Sequence, residues 1–378
     1  MTRRRFLWLL GFGPLALAAC GQATAPATTP SPDVGSPSAT PAAVASVSPK
    51  PSVASAGAAA SAKPSASAAP SAAPQTVAVF NVGSKDVTLI DAARNEVVDT
   101  KPLGAAVRWL GEEQAYWDGK LIWTYDFPDN KLEVLAIDPS SWQVTKRIPA
   151  GTGQAYGVIL SQDRKTAAVT AAGDNKLLTF DTASGAQLHA ADTGKYPCDL
   201  DNSSDYRFLY VPERDQDTVA MFNAADLTLV KRVSFPAGSK PHMLRVAPDG
   251  LTLWVQTDHA GTNSVLRASD LTVLATEQAG KMPVTVAFSP DSKWALVPNA
   301  GEDTATLFDG GTFKPVKSIT VGQGPTVVSF RGDGKFAYVA LMRENSVAVI
   351  DTGSWTVAKT VKAGQQPQGI VILPPNPR

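Results

Sequence analysis

Apolar and polar residues alternate with period two through much of the chain beyond residue 76. Ser346-Val347-Ala348-Val349-Ile350 shows it clearly, and the pattern is that of a half-buried strand. Asp351-Thr352-Gly353-Ser354 interrupts it, a turn cluster whose Asp side chain can accept backbone N–H groups two residues on. Thr356 to Val361 then resumes the alternation. Lys335 to Val361 therefore predicts three strands joined by tight turns, and the bend Gly364–Pro367 leads into a fourth.

The same unit recurs. The position of Asp351 is filled by Asp91, Asp138, Asp181, Asn223, Arg267 and Asp309 in earlier units, at intervals of 47, 43, 42, 44, 42 and 42 residues. A second marker, Gly-x-x-Pro, runs in phase at Gly194–Pro197, Gly238–Pro241, Gly280–Pro283, Gly322–Pro325 and Gly364–Pro367. Asp205, Asp249, Asp291 and Asp333 follow the first four prolines by 8 residues. Strand-only units at a fixed period of this size mark a β-propeller. The expected fold is all-β, a seven-bladed propeller of four-stranded blades over residues 76–378. The first unit opens on Val77-Ala78-Val79-Phe80 with no inner strand before it, and the chain carries a surplus strand at Gln368–Leu373. That strand is expected to complete the first blade and remove the open sheet edge.

The repeat resembles that of the YVTN-repeat (YncE-like) propellers of bacterial and archaeal envelopes. Ala337-Tyr338-Val339-Ala340 stands where that family has Tyr-Val-Thr-Asn, and Ser346–Asp351, Gly364–Pro367 and the Pro-Asp-Gly turns match the rest of its pattern. The resemblance covers residues 76–378 and implies an extracytoplasmic protein. Unit two departs through a longer Trp-rich loop, and unit five through Arg267 and the stretch from Thr257 to Asn263.

Residues 1–19 read as a processing segment. Arg3-Arg4-Arg5 precedes an apolar run, Phe6 to Leu17, too short to span a bilayer as a helix. Leu17-Ala18-Ala19-Cys20 resembles a bacterial lipobox, which implies cleavage before Cys20 and its lipidation; an ordinary signal peptide with an incidental Cys is the alternative. Thr2 to Leu7 also resembles the twin-arginine export signal, with the general export route as the other reading. Residues 21–75 hold 18 Ala, 11 Ser, 10 Pro and 4 Thr and no aromatic residue. Such a composition buries too little apolar surface to offset chain entropy, so residues 20–75 are expected to form a disordered, fairly extended tether. The expected location is the extracytoplasmic side of a bacterial membrane, held by lipid on Cys20.

Charge narrows the partners. Lys and Arg number 34, as do Asp and Glu; setting aside Arg3, Arg4, Arg5, Lys50, Lys63 and Asp33 leaves 29 against 33, about −4 for the repeats. A nucleic-acid binder normally carries a basic face, so that class is disfavoured. The three histidines, His189, His242 and His259, fall in different places of the repeat and offer no three-ligand zinc set. No Cys-x-x-Cys-His, Gly-x-Ser-x-Gly or Walker motif is present, and no cofactor is expected. Asp215-x-Asp217 fits a calcium turn or, more simply, a solvated hairpin. Cys198 reads as a small buried filler, and Trp117, Trp123 and Trp142 as packing between blades or as exposed anchors for a sugar or peptide.

Topology supplies the candidate site. Inner strands start at the Gly-x-x-Pro bends, so the residues just after them ring one mouth of the central channel. The candidates are Trp109, Tyr156, Cys198, Asp199, His242, Arg245, Thr326 and Gln368. Asp199, Asp201 and Arg245 place charge on inner strands where other units carry Val, Ala or Ser. Buried charge needs a partner, either an ion pair between adjacent blades or a ligand at the mouth. The expected function is a monomeric, non-catalytic binding or scaffold module for an envelope protein, peptide or glycan. A lactonase-like hydrolase or a cofactor-associated propeller is the alternative. The similar lactonases show Gly-Pro-Arg-His at one inner bend, where this chain has Ser239-Lys240-Pro241-His242.

Overall fold

The computed structural model of the protein describes residues 75–108, 111 and 116–374. The leader, Cys20, nearly all of the Ala/Ser/Pro-rich segment and the mouth candidate Trp109 lie outside the described residues. The described repeats form seven antiparallel sheets, six of them four-stranded and wound outward from an inner strand. Blade 4 is typical in order: Asp201–Asn202, Phe208–Glu213, Thr218–Asn223 and Leu229–Ser234. Burial follows that order, because second and third strands are covered on both faces while outer strands such as Leu229–Ser234 are largely exposed. The architecture is a seven-bladed β-propeller.

Closure follows the expected route. Pro367–Leu373 pairs antiparallel with Thr76–Asn81, so the last strand is the inner strand of blade 1. Blade 2 departs from the four-stranded expectation. Among the described residues it has Ile122–Asp126, Lys131–Asp138 and Gln143–Thr152, and a lone bridge between Trp117 and Ile122 marks the place of its inner strand.

In the Gly-x-x-Pro bends the residue before the proline is left-handed: Tyr196, Lys240, Met282 and Gln366 have φ of 55°, 57°, 55° and 54°. Such a backbone costs of order 1–3 kcal/mol unless its surroundings hold it. The holding group comes from the preceding blade. Asn175 Oδ1 accepts the Tyr196 N–H at 2.8 Å, Asp217 Oδ1 that of Lys240 at 2.8 Å, and Asn345 Oδ1 that of Gln366 at 2.9 Å. These acceptors are themselves left-handed, a conformation Asn and Asp tolerate. Asp217 therefore closes a bend rather than presenting oxygens for calcium.

Blades are also joined at their outer parts. Tyr210 and Tyr338, each third in its second strand, donate to Ala268 O at 2.8 Å and Asn95 Oδ1 at 2.7 Å in the next blade. Trp254 occupies the same position and packs edge-on to Phe308 of blade 6 at 5.8 Å. Outer-strand Lys146, Lys231 and Lys317 reach carbonyls of the following blade's turn, at Ala183, Asp270 and Trp355. Trp123 and Trp142 are buried, the first donating to Asp118 Oδ2 at 2.7 Å and the second packed edge-on to Phe80 at 6.2 Å. They are packing residues.

Candidate functional site

The inner-strand charges form a buried pair across blades 4 and 5. Asp199 Oδ2 accepts the Leu244 N–H at 3.1 Å and the Arg245 guanidinium, whose Nη2 donates to Tyr116 Oη at 3.2 Å. Asp201 Oδ2 accepts the next alternate amide, Val246 N–H, at 2.9 Å. These carboxylates thus take the place of main-chain pairing between two inner strands that do not share a sheet. Burial pushes the Asp199 carboxyl up to about 6, against the opposing pull of Arg245. Its second oxygen, Oδ1, is buried without a hydrogen-bond partner, as is the hydroxyl of Tyr125 from blade 2.

Gly157 makes room for this arrangement. A Cβ there would lie 2.6 Å from Asp199 Oδ1 and 3.3 Å from Leu200 Cδ2. Gly157→Ala is therefore expected to lower stability by about 1–3 kcal/mol through overpacking, measured as a lower urea midpoint with unchanged slope. A midpoint equal to that of the unaltered chain would refute the close approach.

A second cluster lies at the start of the inner strands, on the mouth, and links three blades. Gln154 Oε1 accepts the phenol of Tyr156 at 2.6 Å, and that of Tyr196 at 3.2 Å. The Tyr156 ring meets His242 edge-on at 4.7 Å. Arg214 lies 5.8 Å from the Tyr196 ring centre and donates through Nε and Nη2 to Asp258 Oδ2 at 3.3 and 3.2 Å. Asp215 accepts from Arg214 Nη1 at 3.1 Å and from Lys240 Nζ at 3.2 Å. Asp258 Oδ1 is buried and has no donor. Desolvation in the mouth pulls His242 down to about 4, so its imidazole is neutral at neutral pH.

The sequence candidates divide among these settings. Tyr156 and His242 join the mouth cluster, and Asp199 and Arg245 form the deeper ion pair. Cys198 is fully buried, and desolvation raises its thiol well above the usual range, so it is held as the neutral thiol. Thr326 and Gln368 belong to the junction of blades 7 and 1, where Thr326 Oγ1 donates weakly to Ala340 O at 3.4 Å and Gln368 Nε2 approaches Met342 Sδ at 2.9 Å. A separate groove of about 560 Å³ lies between blades 3 and 4 at the opposite ends of the strands. Its Asp163 and Asp205 are engaged in closing their own turns.

Gln154, Tyr196, Arg214 and Asp258 are not among the sequence candidates. Their signal lies one strand out. The residue following the second strand is Val82, Phe127, Ala172, Arg214, Asp258, Ala300 and Met342 through the seven units. Charge at that register appears in blades 4 and 5 alone, the blades that carry Asp199 and Arg245.

Comparison with known proteins adds the fold and no more. A scan against protein-family models and a search of curated proteins each find no match. Among solved structures, a Lactobacillus plantarum protein superposes with a TM-score of 0.69 at 15% identity, over 79% of this chain and 99% of that one. A Bacteroides fragilis protein described as a candidate 6-phosphogluconolactonase gives 0.66 at 17% identity, over 81% and 100%. Hydrazine synthase of Kuenenia stuttgartiensis gives 0.61 at 19% identity, over 73% and 92%. The likeness is one of fold.

Proposed function

We propose that this protein is a propeller of the YVTN-repeat kind, tethered by lipid on Cys20 to the outer side of a bacterial membrane, that captures a partner at the mouth formed by blades 3 to 5. The observation that carries this reading is the connected network from Gln154 through Tyr156, Tyr196 and Arg214 to Asp258. It joins ring faces, a guanidinium fork and an unfilled carboxylate oxygen on one rim. Sites of this make-up, ring faces with a few placed polar groups, orient a ligand. The groups nearest to reactive chemistry there are held in quiet states. Cys198 is a buried thiol, and Asp199 is committed to Arg245.

A lactonase-like hydrolase is the second reading, favoured by His242 and by the charged groups beside it at the mouth. The residues to test are Tyr196 and Arg214, because Arg245 is part of a buried pair whose loss would act through folding. With a photo-crosslinking residue at exposed Lys195 in the full chain, in its own cells, a discrete adduct is expected. Tyr196→Ala with Arg214→Ala should abolish it while the far-ultraviolet circular dichroism stays the same. An adduct that survives both substitutions places capture elsewhere on the rim. Lactone hydrolysis above the spontaneous rate, lost in His242→Ala, would replace the binding reading with the hydrolase. Cys20→Ser should move the protein from the membrane to the soluble fraction.

A further inference from the structure

We infer that the ligand of the mouth between blades 3 and 5 is an uncharged, hydroxyl-rich glycan; this rests on the reading of that mouth as the binding site. Charge is the first argument. Arg214 and Lys240 are cationic, and both are answered within the protein by Asp215 and Asp258. His242 adds no charge at neutral pH. Among the described residues of this cluster the charges of Arg214 and Lys240 are thus met in place, and exposed Lys195 stands beside them at its edge, so the cluster's own groups face a ligand as donors and acceptors and not as net charge.

The second argument is the pattern of donors and acceptors. Asp258 Oδ1 is a buried acceptor awaiting a donor, a costly state for a carboxylate oxygen. The Arg214 fork that binds the other oxygen lies beside it. Gln154 takes both phenols on its carbonyl oxygen, so its amide N–H groups remain as donors. Hydroxyl groups donate and accept together. A pair of neighbouring sugar hydroxyls can give one proton to Asp258 and accept from Gln154 or Arg214, completing each without adding charge.

Ring faces supply the third. Tyr156 and Tyr196 are only half buried, and their phenols are pinned to the same Gln154 oxygen, which fixes both rings. A tyrosine presents an apolar body with a polar tip, and a pyranose presents apolar C–H faces with a polar rim. The two surfaces match in that order.

The test is calorimetric titration of the full chain with chitohexaose, cellohexaose and maltohexaose as neutral probes, with oligogalacturonate as an acidic probe, and with a short Ala/Ser/Gly peptide as a non-sugar probe. Saturable binding of at least one neutral probe is expected. Asp258→Asn, which keeps shape and removes the carboxylate, and Tyr196→Ala should each weaken it about tenfold or more, about 1.4 kcal/mol. Failure of every neutral probe to bind overturns the inference. Preference for oligogalacturonate or the peptide, weakened by both variants, overturns the glycan while keeping the mouth as the site. Binding that neither variant alters overturns the site itself, and the functional reading with it.

Discussion

A chain that stops at Gln366 is expected not to fold. The missing strand, Pro367–Leu373, is the inner strand of blade 1, and its Ile370, Val371 and Ile372 are 0%, 8% and 2% exposed. Burial of each such side chain is worth roughly 1.5–3 kcal/mol, so these three alone account for about 5–9 kcal/mol. That is comparable to the entire net stability of a typical domain, about 5–15 kcal/mol. The deletion also strips the ladder from Thr76–Asn81 and the acceptor that Ser329 Oγ uses at Ile370 O, 3.0 Å away. What remains is an open ring whose unpaired edge, Thr76–Asn81, carries Val77, Ala78, Val79 and Phe80, the arrangement that recruits other chains. Size-exclusion chromatography should therefore show aggregates, and thermal unfolding should lose its cooperative transition. A truncated chain that stays monomeric with one sharp transition would mean that the last strand is an accessory rather than the closure. Ile370→Ala in the full chain gives a milder version, with about 2–5 kcal/mol lost.

The closure was legible in the sequence because a propeller's strands are local. Each is set by alternation and by turn residues within one unit, and the surplus strand at the end had an obvious vacancy at the beginning. Blade 2 was not legible to the same degree, since its crossover lacks the Gly-x-x-Pro bend that fixes where an inner strand starts. The mouth was half legible. Tyr156 and His242 stand at the beginning of inner strands, where the repeat says a rim must be. Arg214 and Asp258 stand after second strands, in turns of four residues in every blade whose composition carries no shared marker. Only the strand ends at Glu213 and Thr257 show that both occupy one register. An ion pair between adjacent blades is one of the two readings the sequence allows for Asp199, Asp201 and Arg245; which of the two carboxylates takes the guanidinium is set by geometry between blades that no periodicity within a blade records.

Arg245→Met is expected to be among the most damaging single substitutions outside the apolar core. Arg245 and Asp199 side chains are 4% and 0% exposed, and removal of one partner leaves the other charge buried alone. Such a loss costs about 3–5 kcal/mol. Replacing both, Asp199→Leu with Arg245→Met, should recover much of it, because two apolar side chains have no charge to desolvate. Recovery should stop short of complete, for the Leu244 N–H then loses its acceptor at Asp199 Oδ2. The same pair carries a pH signature. The folded-state carboxyl of Asp199 titrates near 6 against an ordinary 3.8, so the folded protein takes up this proton before the unfolded chain does. Its contribution to stability is fully present below about pH 4 and is lost as pH rises through 6. Arg245 opposes that rise, so its removal pushes the carboxyl higher still. The deficit of Arg245→Met should thus be greatest at neutral pH and shrink in mild acid, where the lone carboxyl becomes neutral. Urea unfolding of both chains at pH 7.5 and pH 4.5 measures it directly. A deficit that does not change between the two would show that Arg245 acts through its bulk and its bond to Tyr116, and not through the charge of Asp199.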